Sequence, residues 1–257
     1  MRTCVLASGS KGNVTYVETN NHKILIDIGT NVKYIKEKLL EIEVLVTDID
    51  IILISHIHND HIKALEQFIK KYNPYVYMTS TMVEELEINH PIRNYEKLIL
   101  FNDDIYLDTM HIEVIKTSHD TKDSKGFIVK ENTKSIVYIT DTGYLNQKYF
   151  SKLKDCNVYL FESNHDVEML INGKYPQWLK DRVVGPYGHL SNKDAAIYLA
   201  KLIGSDTKKI ILMHLSENNN TKEIALDTIR SVFLEYGVKF DNISCASQNE
   251  KSEVINL

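Results

Sequence analysis

The sequence predicts an α/β fold in which two mixed β-sheets are flanked by helices. Three observations lead to this prediction: short β-branched runs that each end at a polar residue, amphipathic segments of helical period between them, and turn residues that join neighbouring strands. No linker rich in proline, glycine or serine interrupts the chain. We therefore expect residues 1–257 to form a single domain.

Six apolar runs are predicted to be strands, and each ends at a residue able to bind a metal or move a proton. They are 24–26 before Asp27, 51–55 before His56, 112–118 before His119, 136–140 before Asp141, 158–161 before Glu162 and 210–213 before His214. In layered α/β folds, the polar groups at strand ends gather along one rim, where ligands bind. This composition of Asp, Glu and His predicts a metal site at that rim.

Between these runs lie segments in which apolar residues recur at helical spacing. The predicted helices are 31–42, 62–72, one from the N-cap Ser191 to Gly204, and one from Thr221 to Gly237. Hairpins are predicted at 20–21 and at 131–133, where turn residues separate two apolar runs. Sheets covered by helices follow from this order of elements.

The formal net charge of -5 excludes a protein coated in positive charge. If the chain handles nucleic acid, the attraction must come from a local groove or from bound metal. Three widely spaced cysteines without a CxxC motif indicate reduced thiols, and no apolar run is long enough for a signal peptide or a membrane span. We expect a cytoplasmic protein with no membrane partner.

The sharpest motif is HxHxDH, formed by His56, His58, Asp60 and His61. In a loop that leaves a strand, the first two imidazoles can turn to one cation, while Asp60 and His61 face a second. Imidazole nitrogen and carboxylate oxygen suit Zn²⁺ and also Mn²⁺ or Fe²⁺. A solvated polar loop between a strand and a helix is the alternative interpretation.

Four residues cannot fill two metal shells, so the other ligands must come from distant strand ends. His119 would complete the first site, Asp141 would bridge both ions with its two oxygens, and His214 would close the second site. The expected cofactor is therefore a pair of divalent ions, with zinc favoured over manganese or iron.

In order along the chain, Asp27, the HxHxDH motif, His119, Asp141 and His214 resemble the five motifs of the metallo-β-lactamase superfamily. The resemblance implies an αββα sandwich with a dinuclear metal centre. It also implies that Asp27 holds the imidazole of a metal ligand in its tautomer rather than binding metal itself.

The segments 161–166, 188–191 and 213–216 resemble the Glu, His-Ser/Thr and His-x-Ser elements of tRNA 3′-processing metallo-nucleases, and more loosely RNase J. The resemblance implies that Glu162 orients His189, and that His189 protonates the leaving oxygen. Asp60 is expected to serve catalysis as well as metal binding. The other interpretation makes His189 an inert loop residue before a helix N-cap.

The segments 7–13, 161–170 and 188–192 are similar to the YycJ/WalJ family of single-domain bacterial proteins, over nearly the whole chain. This resemblance implies a 5′→3′ DNA exonuclease linked to mismatch repair. The implied partner is nucleic acid, with DNA favoured over RNA, and a homodimer is a further expectation. The substrate contacts that we expect are Ser8, Asn13, His165, Trp178, Lys180 and Arg182.

Several alternatives stay open at this point. Residues 8–13 could be a plain turn, and Trp178 could cover the core instead of stacking on a base. The same metal centre could hydrolyse a small phosphodiester or a thioester, or the chain could be a regulatory protein that metals merely stabilise. The combination of Glu162 and His189 favours the nuclease.

Overall fold

The computed structural model describes residues 1–257 and contains two seven-stranded β-sheets. The chain divides into two compact units: unit 1 comprises Met1–Glu113, Thr121–Ser124 and Ser247–Leu257, and unit 2 comprises Val114–Asp120 and Lys125–Ala246. The expectation of a single domain stays a prediction. No helix combines the length and the apolar character that crossing a membrane requires.

The first sheet has the strand order β14-β1-β2-β3-β4-β5-β6. Its strands are β1 (Arg2–Ala7), β2 (Val14–Glu18), β3 (Lys23–Ile26), β4 (Ile51–Leu53), β5 (Tyr75–Met78), β6 (Leu98–Leu100) and β14 (Ile255–Asn256). Strands β1 to β3 pair antiparallel, whereas β3 to β6 pair parallel. The sheet is therefore mixed, and the predicted hairpin at 20–21 joins β2 to β3.

Four helices belong to unit 1, namely α1 (Val32–Leu40), α2 (Asn59–Ile62), α3 (Leu65–Tyr72) and α4 (Ser80–Glu85). The α1 helix begins after Asn31, whose side chain accepts a hydrogen bond from the backbone of Tyr34. The predicted helix 62–72 is wrong in its first turn, because α2 ends at Ile62 and α3 begins at Leu65. The break has a tertiary cause: the backbone N–H of Ala64 donates to Ile28.

The second sheet has the order β13-β12-β11-β10-β9-β8-β7. Its strands are β7 (Ile105–Leu107), β8 (Met110–Lys116), β9 (Lys125–Glu131), β10 (Lys134–Ile139), β11 (Val158–Glu162), β12 (Lys209–Met213) and β13 (Ile243–Cys245). Strands β10 to β13 pair parallel, and the predicted hairpin at 131–133 joins β9 and β10 antiparallel. Every residue of β11 and β12 is buried, as expected for parallel strands covered on both faces.

Unit 2 also contains five helices, which are α5 (Phe150–Leu153), α6 (Val167–Asn172), α7 (Gln177–Val184), α8 (Asn192–Leu202) and α9 (Lys222–Glu235). Ser191 and Thr221 cap α8 and α9 as predicted, each accepting a hydrogen bond from a backbone N–H three residues on. The α8 helix stops at Leu202, two residues before Gly204. The predicted fold class, two mixed β-sheets flanked by helices, is confirmed.

Candidate metal and proton-transfer site

The HxHxDH motif forms a compact loop in unit 1, between β4 and α3. The ring centroids of His56 and His58 lie 4.9 Å apart, and those of His56 and His61 lie 3.9 Å apart. His56 and His61 are almost completely buried, whereas Asp60 is partly exposed at the start of the short α2 helix. A potential ligand atom of His56 lies within 4.8 Å of one on His58 and of one on His61. His56 can therefore share a cation with His58 or with His61.

Asp27, which follows β3, is fully buried behind this loop. Its Oδ2 lies 2.8 Å from Nδ1 of His61, and its two oxygens accept hydrogen bonds from the backbone N–H and the hydroxyl of Ser55. Because the carboxylate only accepts, His61 must carry its proton on Nδ1 and present a lone pair at Nε2. This contact is of the kind that the sequence assigned to Asp27, and its effect on metal binding stays a prediction.

Two residues that sequence reasoning did not place here pack against the histidine loop. A Cβ atom on Gly29 would lie 1.6 Å from the carbonyl oxygen of Asp60, so only glycine fits at this position. The backbone N–H of Asn13 donates to the same oxygen of Asp60 at 2.8 Å, and its side-chain amide lies 3.0 Å from Nε2 of His61. The only signal in the sequence was a glycine two residues after the strand-end acid Asp27.

The segment 8–13 is held by its own side chains and by Gln248, whose side chain contacts the backbones of Lys11 and Gly12. Oδ1 of Asn13 accepts hydrogen bonds from the backbone of Gly9 at 2.9 Å and from the hydroxyl of Ser8 at 3.3 Å. Ser8 and Asn13 are both buried. Their contacts hold the loop together, and direct contact with substrate stays a prediction for both.

In unit 2, four predicted site residues come together at the carboxyl ends of neighbouring parallel strands. Asp141 follows β10, Glu162 ends β11, His214 follows β12, and His189 lies in the loop between α7 and α8. One ligand atom from each of these residues lies within 4.8 Å of the others. Of the four, only His189 is not buried.

His119, which follows β8, belongs to the same neighbourhood. Its Nε2 lies 3.7 Å from Oδ1 of Asp141, and the same oxygen lies 3.5 Å from Nδ1 of His214. Asp141 therefore stands between two imidazoles, in the position expected of a carboxylate shared by neighbouring ligands. Its role as a bridging ligand stays a prediction.

Glu162 contacts His189 directly, with Oε1 of Glu162 2.8 Å from Nδ1 of His189. The other oxygen, Oε2, accepts hydrogen bonds from the backbone N–H groups of Thr142 at 2.9 Å and Leu190 at 3.2 Å. Burial alone raises the pKa of Glu162, but the neighbouring charge of His189 and hydrogen bonds from His189 and His214 outweigh it, so the pKa lies well below its usual value. A carboxylate at this position fixes the proton of His189 on Nδ1 and leaves Nε2 for chemistry.

Three of the strand-end residues have a left-handed backbone. The φ angles are 60° at Asp27, 52° at Asp141 and 56° at His214. Residues other than glycine rarely adopt such φ angles, and those that do are concentrated at functional sites. The backbone thus turns sharply at the points where these side chains leave their strands.

The other residues predicted to contact substrate lie in different environments. His165 is buried, its Nδ1 has no hydrogen-bond partner, and desolvation lowers its pKa to about 4. Trp178 is 67% exposed, so the alternative in which it covers the core is wrong. Lys180 donates to the carbonyl of Ile171, and Arg182 contacts Asp120 through Nε and Nη2, at 2.6 Å each. Substrate binding by His165, Trp178, Lys180 and Arg182 stays a prediction.

The ligand clusters consist of imidazole and carboxylate groups, the donors that zinc, manganese and iron accept. The donor chemistry of the residues therefore fits a divalent metal. It does not select one metal over another.

Residues 22–215 match the model of the β-lactamase superfamily domain. The chain belongs to this superfamily, in its metallo-β-lactamase branch, and the family recognised in the sequence is confirmed.

Two relatives show which kind of superfamily member this chain is similar to. Exodeoxyribonuclease YycJ of Bacillus anthracis is 38% identical over 237 residues, covering 91% of this chain and 89% of the relative. Exodeoxyribonuclease WalJ of Streptococcus pneumoniae serotype 2 is 36% identical over 231 residues, covering 86% and 84%. Among solved structures, the metallo-β-lactamase fold protein YhfI of Bacillus subtilis superposes with a TM-score of 0.68 over 98% of each chain, at 15% identity. That last similarity shows the fold alone.

Proposed function

We propose that this chain is a metal-dependent exodeoxyribonuclease that removes nucleotides from DNA in the 5′→3′ direction, in a pathway of mismatch repair. The observation that carries the proposal is the contact between Glu162 and His189 inside a cluster of potential metal ligands. The two exodeoxyribonuclease relatives, similar over most of their length, support the same reaction.

For metal binding we propose the assignment made from the sequence. His56, His58 and His119 would hold one divalent ion, and Asp60, His61 and His214 a second, with Asp141 shared between them. In this proposal units 1 and 2 act together as one hydrolase domain. When bound, such a metal pair supplies Lewis-acid stabilisation of the phosphodiester and an activated water molecule. Zinc is the first choice, with manganese and iron as alternatives.

The residues of the chain supply the remaining chemistry. Asp27 fixes the tautomer of His61 through the 2.8 Å contact at Nδ1, so that Nε2 is oriented for coordination. Glu162 does the same for His189 through the 2.8 Å contact at Nδ1. His189 then donates the proton from Nε2 to the oxygen that leaves phosphorus as the P–O bond breaks. Its partial exposure, unlike the buried Glu162, lets it reach a substrate in solvent.

The test is a strand-specific digestion assay combined with metal analysis. The purified chain, loaded in turn with Zn²⁺, Mn²⁺ or Fe²⁺, is incubated with DNA or RNA labelled at the 5′ or the 3′ end. Stepwise release of nucleotides from the 5′ end of DNA is the expected result. Hydrolysis of bis-p-nitrophenyl phosphate without any digestion of nucleic acid would contradict the proposal and favour a small-molecule phosphodiesterase.

The expectations of a homodimer and of cytoplasmic location stay predictions. Light scattering of the purified chain measures the first, and fractionation of the producing cells measures the second. Neither result changes the assignment of the site residues.

A further inference from the structure

Two exposed tyrosines in unit 2 stand next to the loops that hold Glu162 and His189. Tyr144 is 46% exposed and Tyr187 is 63% exposed. A phenol ring offers a large apolar face on which a nucleobase can stack, and here two such faces are exposed close to a reactive histidine. Neither residue was singled out by the motifs of the sequence.

The backbones that carry these tyrosines touch each other. A Cβ atom on Gly143 would lie 2.4 Å from the carbonyl oxygen of Pro186, and the same oxygen accepts a hydrogen bond from the hydroxyl of Ser118 at 2.7 Å. Gly143 precedes Tyr144 and Pro186 precedes Tyr187. Since the contact involves the residue directly before each tyrosine, the two tyrosines start from neighbouring points on the surface.

The same two loops are tied to the proton-transfer pair. The backbone N–H groups of Thr142 and Leu190 donate to one oxygen of Glu162, and the hydroxyl of Thr142 donates to the carbonyl of Tyr144 at 2.7 Å. Tyr144 is therefore two residues from Thr142, which contacts Glu162, and Tyr187 is two residues from His189. Hydrogen bonds at both ends keep this arrangement fixed before substrate arrives.

The arginine on the helix before Tyr187 is already held by a carboxylate. The chain carries a formal net charge of -5, and Arg182 on the preceding helix is already paired with Asp120. Stacking of bases on aromatic rings does not need positive charge and tolerates every base, because each base has a π face. Bases inside a duplex are already stacked on each other, so a protein ring gains most from unpaired bases.

Resting on the exodeoxyribonuclease function proposed above, we propose that Tyr144 and Tyr187 form a stacking platform for the unpaired bases at the end of the DNA strand being degraded. The platform makes the enzyme select single-stranded ends. It contributes to binding of the strand and leaves the bond-breaking step to Glu162, His189 and the metal ligands.

The first test compares leucine and phenylalanine variants of both tyrosines. Y144L and Y187L keep an apolar side chain but remove the ring, and each is expected to raise KM for a single-stranded oligonucleotide about tenfold with kcat unchanged. Y144F and Y187F keep the ring and should match the wild type. Y236L is the control, since Tyr236 is 47% exposed at the end of α9. The kcat for bis-p-nitrophenyl phosphate should be the same in all variants; its KM is not compared, because the nitrophenyl rings of this substrate can also stack on a tyrosine.

A second test measures stacking without turnover. In an H189A background, an oligonucleotide with 2-aminopurine at its 5′ end is titrated with protein, and the fluorescence of this base falls when it stacks on an aromatic ring. The quenching should persist with the phenylalanine variants and disappear in the double leucine variant.

Each outcome separates the platform from the nuclease proposal. If the wild type digests DNA while the double leucine variant keeps the same KM and the same quenching, the platform is overturned and the nuclease stands. A lower kcat for the small substrate in the leucine variants would assign the tyrosines to the fold and also overturn the platform. If the wild type hydrolyses the small substrate but digests no DNA, the proposed function fails and the platform fails with it.

Discussion

The two ligand clusters are held in place by different kinds of interaction. In unit 1, four potential ligands come from one short loop, which backbone contacts fix, such as the N–H of Ile28 donating to His61 and that of Asn13 donating to Asp60. In unit 2, the residues come from separate strand ends and loops, and side-chain contacts centred on Glu162 bring them together. The first cluster should therefore be disturbed most by substitutions that add atoms next to its backbone. The second should be disturbed most by substitutions that remove a charged side chain.

The largest expected effect comes from removing the reactive imidazole of unit 2. H189A should lower kcat on end-labelled DNA by about 10²- to 10⁴-fold, because it removes the group to which the proposal assigns protonation of the leaving oxygen. Metal content, measured by mass spectrometry, should stay as in the wild type, since His189 is outside the proposed ligand set. An unchanged kcat would show that His189 is only a loop residue.

The second largest effect is expected from a substitution that adds an atom next to the backbone of unit 1. G29A places a methyl group onto the carbonyl of Asp60 and should lower the free energy of unfolding by about 3 kcal/mol, measured with urea. The control is G237A: Gly237 has a φ of 67° but no atom within 4 Å of its added Cβ, so only about 1 kcal/mol is expected. Equal losses for both variants would contradict the packing explanation.

The buried imidazole behind Glu162 should make stability depend on pH. Desolvation lowers the pKa of His165 from 6.5 to about 4 in the folded chain, so the unfolded chain binds more protons between these values. The contribution is fully present above pH 6.5 and is lost as the pH falls towards 4, by up to about 3 kcal/mol. Urea unfolding of the metal-free chain between pH 4 and 7 should show a shallower loss for H165Q than for the wild type; parallel curves would be the contrary result.

The smallest of these effects concerns the acid behind the histidine loop. D27N removes the carboxylate that accepts the proton of His61 and should weaken metal affinity about 10- to 100-fold, measured by competition with a chelator. D50N is the matched control, since Asp50 also contacts an imidazole, Nδ1 of His22 at 2.6 Å, but away from the histidine loop. If both variants bind metal equally well, the contact at Asp27 has no role in coordination.

What the sequence predicted well was local. The HxHxDH motif, the caps at Ser191 and Thr221 and the two hairpins each depend on residues within a few positions of one another, so their patterns are visible in one chain. The strand-end residues of unit 2 could be predicted as a group because parallel strands bring their carboxyl ends together.

What the sequence did not predict depends on contacts between distant segments. The break between α2 and α3 follows from the hydrogen bond between the N–H of Ala64 and the carbonyl of Ile28, and nothing in the sequence at these residues indicates this bond. The close approach of Gly29 to Asp60 and the pairing of Arg182 with Asp120 are equally invisible to periodicity. Trp178 could not be placed because the short α7 helix buries only Val183, so its sequence has no apolar stripe that marks a core-facing side.

At Asp27, Asp141 and His214, the left-handed backbone favours glycine, whereas the proposed function needs the polar side chain. Glycine adopts these φ angles without strain, so replacing any of the three residues would relax the turn while deleting a side chain that the proposed chemistry uses. Laboratory evolution that rewards only survival at high temperature should reach glycine least readily at Asp27, because glycine there would leave the buried N–H and hydroxyl of Ser55 and Nδ1 of His61 without their acceptor. Selection must therefore monitor turnover at every round to keep the other two polar residues.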